Sequence, residues 1–463
     1  MERFSVSWSE ATSRCVTPAL NHRTPTGSVA ERVAAGADRA VHATELMTEH
    51  AVALMTEETE MTIGRGTPDG LHVGVVGLGF GAEFLPIYQR HPRVRAVSIV
   101  DPDPARLTAV GDAHGIERRH RDLSGLLADD DVDAVHLLAP VSHHAAQSVA
   151  VLDAGRHCAS AVPMATTLAD LDAIIAAADA SVGTYQMMET TVFSREYLYV
   201  RDLLKSGALG DLTFYRGFHL QDLDGFPPYW AAYPPMHYIT HALSPALSLT
   251  GDTVASVQCL GSSRLTDRRR GDQPNPFPLE VGLFRLRSHD MAVDIAMSFF
   301  QTARAYTEGF AVYGTRMGVE WPTAEGGPLT VHEFREVPAG GRGRSVAVRE
   351  VMPPDRPDLL PDAIAGFTRA SWLAPRPGLA PVDTSGGHGG SHPHLVHEFV
   401  SSILDGRAPR VDARTAAAWT APGICAHQSA LADGTRVQVP DYRAAPPSDG
   451  SLQARRRPAP ADG

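Results

Sequence analysis

The sequence predicts an α/β fold in which a parallel sheet is followed by an open, mainly antiparallel one. Two observations carry this reading. From Leu71 to Met188 short apolar runs alternate with helical patterns, the rhythm of a parallel sheet with right-handed crossovers. After Glu189 longer stretches of apolar–polar alternation take over, which suits an antiparallel sheet with one solvated face.

In the first part, strands are expected at Leu71–Val76, Arg95–Val100, Asp133–Ala139, Cys158–Val162 and Val182–Met188. Helices are expected from a Gly-rich turn through Arg90, then at Pro104–His114, Leu123–Leu127, His144–Ala154 and Thr166–Ala180. In the second part a helix over Glu196–Lys205 ends at Ser206-Gly207, a C-cap signal. Strands follow at Leu212–His219, Val254–Gly261, Leu279–Arg287, Met291–Phe300 and Phe310–Tyr313, and two last helices at His394–Leu404 and Arg414–Leu431. The domain plan is therefore 70–189 and 190–442. Residues 1–69 lack a sustained period and read as a disordered extension, or as a start set too early; the alternative is a helix over Val29–Leu54. The stretch 443–463, with Arg-Arg-Arg-Pro-Ala-Pro, reads as a disordered tail.

A chain of 463 residues with 43% hydrophobic content can bury two cores. The net charge of −12 argues against nucleic acid or an anionic membrane as main partner, and no apolar run is long enough to span a bilayer. Cys15, Cys158, Cys259 and Cys425 form no CxxC pair, so free thiols in a reducing cytoplasm are expected.

The most informative motif is Gly77-Leu78-Gly79-Phe80-Gly81-Ala82, between a strand and a helix. Glycine permits the tight turn and a close backbone approach to a pyrophosphate. Ala82 fits the small position where helix packs on sheet, and the helix N-terminus offers free N–H groups to the phosphates. Asp101 ends the next strand, where a carboxylate binds ribose hydroxyls and repels a 2′-phosphate. The first domain is thus expected to be a Rossmann dinucleotide-binding domain holding NAD rather than NADP.

On these residues the chain resembles the Gfo/Idh/MocA family from about Leu71 to Tyr442. Ala139-Pro140-Val141-Ser142-His143-His144 looks like the family's TPNxxH segment, with Pro140 and His144 matching. Ala154-Gly155-Arg156-His157-Cys158 is similar to its AGKHV run, and Leu204–Gly210 to its helix-to-sheet connection. The resemblance implies an α+β second domain whose sheet serves substrate binding and oligomerisation. It implies oxidation of a sugar or cyclitol hydroxyl by a bound nicotinamide. It also implies an EKP lysine, but here the run is Ala161-Val162-Pro163, so valine stands at the lysine position.

Proton transfer must then use other groups. His241 matches the family's histidine, and His237 stands where an Asp is usual. Two histidines four apart share a face if the segment is helical, and histidine suits acid–base work near neutral pH. His241 is the first candidate, with His237, Tyr238 and Glu189 assisting; Glu189 follows the last Rossmann strand. The run Gly386–His394 is rich in glycine and histidine and reads as a substrate-capping loop; no ligand spacing is strict enough to predict a metal. Tyr229, Trp230 and Tyr233 offer faces for sugar C–H groups. The leading reading is an NAD-dependent oxidoreductase on a polyol. The alternatives are an NAD-retaining lyase or glycosidase using transient oxidation, and a non-catalytic nucleotide-binding regulator.

Overall fold

The structure, a computed structural model, describes residues 70–443 apart from 272, 338, 339, 342, 376, 377 and 380. The expectations for residues 1–69 and for the tail beyond Arg443 lie outside the described residues.

The first sheet has six strands: β1 (Leu71–Val76), β2 (Val94–Val100), β3 (Arg119–His120), β4 (Ala134–Leu137), β5 (His157–Ser160) and β6 (Tyr185–Met187). All neighbours run parallel, in the order β3-β2-β1-β4-β5-β6. This is the doubly wound Rossmann order. The chain reverses direction across the sheet between β1 and β4, so a ligand crevice opens at their carboxyl ends. Every residue of β1 and β4 is buried, as a strand covered on both faces requires.

The helix expected to run unbroken to Arg90 is instead Leu78–Gly81, a 3-10 turn Ala82–Phe84, and Leu85–Arg90. Pro86 has no N–H to return to the preceding turn, so the regular ladder cannot pass through it.

The second sheet has nine strands. They are β7 (Leu212–Leu220), β8 (Val254–Ser262), β9 (Leu279–Leu286), β10 (Ala292–Ser298), β11 (Thr307–Gly314), β12 (Met317–Glu320), β13 (Leu329–Phe334), β14 (Val346–Val351) and, after a separate hairpin of β15 (Ala370–Leu373) and β16 (Val382–Ser385), β17 (Val437–Gln438). The order is β14-β13-β12-β11-β7-β10-β9-β8-β17. Only β7 and β10 run parallel among these neighbours. Sequence reading missed β12, β13, β14, β17 and the hairpin. β12 and β17 are too short to show a period, and β14 leaves most of its residues exposed, so no apolar face marks it.

Two features position the site. Strand β7 presents Tyr215, Gly217 and His219 on one face, the period of two along a strand. The helix Thr240–Thr250 crosses that face where Gly217 leaves room: a Cβ there would lie 2.1 Å from the Ala242 carbonyl oxygen. Tyr215 donates its hydroxyl to the same oxygen at 2.7 Å and fixes the crossing. The helix Ala413–Leu431 packs against both the helix Leu168–Ala180 of the first domain and β8 of the second. No helix among the described residues is long and apolar enough to cross a membrane.

Candidate active site

A cleft of about 1410 Å³ opens at the carboxyl ends of β1 and β4. One wall comes from the first sheet. Gly77 turns there with φ +90°, and a Cβ on it would meet the Leu138 carbonyl oxygen at 2.7 Å, so only glycine fits. A Cβ on Gly79 would meet nothing within 4 Å, which leaves the backbone open to a phosphate. Phe80 stands in the cleft, while Gly81 and Ala82 pack toward the core. Asp101 accepts the Leu78 N–H at 2.9 Å and the Asp103 N–H at 2.9 Å, and Arg106 lies 3.3 Å from it. Its carboxylate is thereby held at the rim of the cleft, where a ribose would sit. Pro140 lines the same wall. His144 is almost fully buried; its two ring nitrogens face the carbonyl oxygens of Pro163 at 2.8 Å and Ala139 at 2.9 Å, so it ties two crevice turns together. Val162 is buried and lines the cleft too. These residues fit a dinucleotide: an open glycine turn for the diphosphate and a fixed carboxylate for the ribose.

The opposite wall comes from the second sheet. His241 points into the cleft and is 3% exposed. Its Nδ1 donates to Glu189 Oε1 at 2.7 Å, and Glu189 is fully buried, its Oε1 also accepting the Thr191 N–H at 2.9 Å. Glu189 thus stands behind His241. On the other side His241 Nε2 lies 3.9 Å from Glu308 Oε2, and Glu308 Oε2 lies 3.8 Å from His219 Nδ1. Burial pulls the His241 pKa down, but the Glu189 and Glu308 carboxylates outweigh it and raise it to about 9. Burial pushes Glu308 up, yet His241, His388, His219 and the Tyr306 hydroxyl bring it down to about 2. His219 goes the other way, to about 3, because burial dominates there. The ligand atoms of His219, His241 and Glu308 all lie within 4.8 Å of one another.

Of the sequence candidates, His241, Glu189 and Tyr238 come together. Tyr238 lines the cleft with its ring 5.2 Å from that of His241. His237 does not join them. Pro234-Pro235 starts a 3-10 turn, Pro235–Tyr238, and the α-helix begins only at Thr240. At three residues per turn it is position 238 rather than 237 that aligns with 241. His237 packs instead against His427, rings 5.0 Å apart, beside the His427–Glu280 pair. Tyr229 and Trp230 line the cleft, whereas Tyr233 is buried behind them. His388, in the glycine loop, reaches the cleft with φ +48°, a conformation rarely held by a residue other than glycine. Sequence reading missed His219 and Glu308. The only available signal was a polar residue at an inward position of an otherwise apolar strand face.

Residues 71–188 match the family model described as oxidoreductase family, NAD-binding Rossmann fold. This part of the chain is therefore a Rossmann domain of the Gfo/Idh/MocA oxidoreductase type. A glycosyl hydrolase family 109 protein of Streptomyces niveus is 24% identical over 401 residues, covering 80% of this chain and 77% of that one. The fold is shared with an oxidoreductase from Agrobacterium radiobacter solved with NAD+, L-tartaric acid and magnesium. The TM-score is 0.61 at 20% identity, over 80% of this chain and 98% of that one. It is also shared with levoglucosan dehydrogenase in complex with NADH and levoglucosan, with a TM-score of 0.60 at 19% identity, over 80% of this chain and 100% of that one. The matched segment, residues 71–188, is the NAD-binding part of the chain.

Proposed function

We propose that this oxidoreductase oxidises a hydroxyl of a sugar, cyclitol or related polyol with NAD. The observation that carries the reading is that the glycine turn with Asp101 and the His241–Glu189 couple open onto one cleft. Gly77, Gly79 and Asp101 hold the cofactor, with Pro140 and His144 shaping the crevice. When bound, the nicotinamide supplies the hydride acceptor. The substrate hydroxyl is received on the face that carries His241, which Glu189 holds in one orientation and Tyr238 walls on one side. Val162, at the family's lysine position, brings no charge, so the positive pole at the reacting oxygen belongs to the His241 side. Tyr229 and Trp230 supply flat surfaces for ring C–H groups. Levoglucosan as a ligand of a structure with the same fold supports the substrate class.

The test is direct. Purified protein is incubated with NAD and a panel of sugars and cyclitols, and NADH is followed by absorbance. No NADH with any member, together with no NAD binding, sinks the reading. The long match to a glycosyl hydrolase family 109 protein favours a second reading, transient oxidation with NAD regenerated in each turnover. That reading requires glycoside cleavage without accumulating NADH.

Two further assignments belong here. Cys158, Cys259 and Cys425 are free and buried, which supports a reducing, cytoplasmic setting. Leu260, Val281 and Leu283 are exposed on one face of β8 and β9, with Leu260 directly opposite Val281, which supports pairing with a second copy of the chain.

A further inference from the structure

We propose that His219, His241 and Glu308 bind a divalent transition-metal cation, zinc in the first instance, at the His241 end of the cleft. The binding stands on its own; what the cation does for substrate rests on the polyol reading above.

Three separate elements build the set. Glu308 on β11 is the cross-strand partner of His219 on β7, so both side chains leave the same face of the sheet. The helix laid across Gly217 brings His241 over them. Glu308 Oε2 is 3.8 Å from His219 Nδ1 and 3.9 Å from His241 Nε2, and all three ligand atoms fall within 4.8 Å. Ligands at about 2.0–2.2 Å from a metal stand roughly 3–3.5 Å apart, so small side-chain rotations close the set.

Three polar atoms here have no hydrogen-bond partner in the protein. Neither ring nitrogen of His219 has a hydrogen bond, nor does Glu308 Oε2, although the two residues are 2% and 8% exposed. Buried polar atoms without a protein partner are completed by water, an ion or a ligand. The geometry behind His241 favours an ion. Glu189 accepts from Nδ1 at 2.7 Å and so aims Nε2 at the cluster, where a bound cation takes the place of the Nε2 proton, as at histidines backed by an outer carboxylate. His388 stands beside it, with Nδ1 3.2 Å from His392 Nε2 and its ring stacked 6.1 Å from that of His241.

Two imidazoles and one carboxylate suit zinc and its neighbours, not magnesium or calcium, which prefer all-oxygen shells. Three protein ligands leave a position open toward the cleft. A substrate hydroxyl oxygen takes that position; its O–H bond breaks and the proton leaves to solvent. The cation thus supplies the positive charge that Val162 cannot.

The test uses the untagged full chain, stripped with chelator and titrated calorimetrically with zinc, and with cobalt as a visible-absorption probe. One tight equivalent and a cobalt d–d band are expected in the wild type. His219→Ala and Glu308→Gln should each abolish the band and weaken zinc by more than the about 10–100-fold typical of an outer-shell loss, and Glu189→Gln should fall within that range. His237→Ala, off the site, should leave both readings unchanged. No stoichiometric site in the wild type overturns the proposal. So does unchanged affinity and band in His219→Ala and Glu308→Gln proteins that melt cooperatively. If neither variant folds, the wild-type stoichiometry and the Glu189→Gln shift decide. NAD titration of the same samples separates the two ideas: NAD binding without zinc removes the metal alone, and zinc without NAD removes the cofactor reading.

Discussion

Replacing Gly217 by alanine tests whether the approach of helix to sheet sets the active site. The new Cβ would lie 2.1 Å from the Ala242 carbonyl oxygen, which is backbone and cannot rotate away. Carbon and oxygen rest about 3.3–3.6 Å apart, so helix and strand must part by roughly 1.2–1.5 Å. Overpacking of this kind costs about 1–3 kcal/mol of stability. The larger effect falls on the site. His241 rides on the displaced helix, His219 on the strand, and a shift near 1 Å is worth on the order of 10²-fold in rate. The Tyr215 hydrogen bond to Ala242 lengthens as well. Gly77 and Asp101 are on the other sheet, so NAD affinity should hold. Urea unfolding, NAD titration and turnover on one preparation give the three numbers. Turnover and stability equal to wild type would refute the argument, because the glycine would then have no role in bringing the histidines together.

Asp101→Asn should narrow the preference for NAD over NADP by about tenfold, or about 1.4 kcal/mol, as measured by titration with both nucleotides. His237→Ala should leave turnover within about twofold of wild type, because the ring faces His427 rather than the cleft, while lowering the melting temperature through a lost buried contact. Acid should destabilise the fold well above the carboxylate range. Burial lowers His136 to about 3 and His91 and His157 to about 4, so the unfolded chain takes up protons that the folded chain refuses. Their contribution is complete above the ordinary histidine pKa of 6.5 and is lost as pH falls through the window down to about 3–4. Urea midpoints measured from pH 8 to pH 4 should therefore decline steadily below pH 6.5; a flat profile would contradict the buried neutral rings.

Much of the first domain could be read directly. The alternation of β1 with its glycine turn, Asp101 at the end of β2, and the Asp103-Pro104 helix start are local patterns, and local patterns survive folding. The helix Pro104–His114 falls where it was expected because Asp103 caps it and Pro104 opens it. The second sheet was legible only where a strand had a buried face. β9 alternates buried and exposed residues along most of its length and could be seen; β14 is mostly exposed and could not.

The site divides in the same way. The sequence by itself determined the geometry of the wall that carries Gly77 and Asp101, because a glycine turn, a strand-end carboxylate and a helix start act within one short βαβ segment. The opposite wall was decided by tertiary structure. Whether His237 or Tyr238 joins His241 depended on a 3-10 turn forced by two prolines. Glu189 could be suspected of orienting a histidine, but only the packing of the helix onto the sheet placed it 2.7 Å from His241. His219 and Glu308 meet because β7 and β11 pair in one register, and a shift of one residue would turn Glu308 to the other face. Register between strands that far apart in the chain is set by the whole sheet and the helix laid across Gly217, and no local period encodes it.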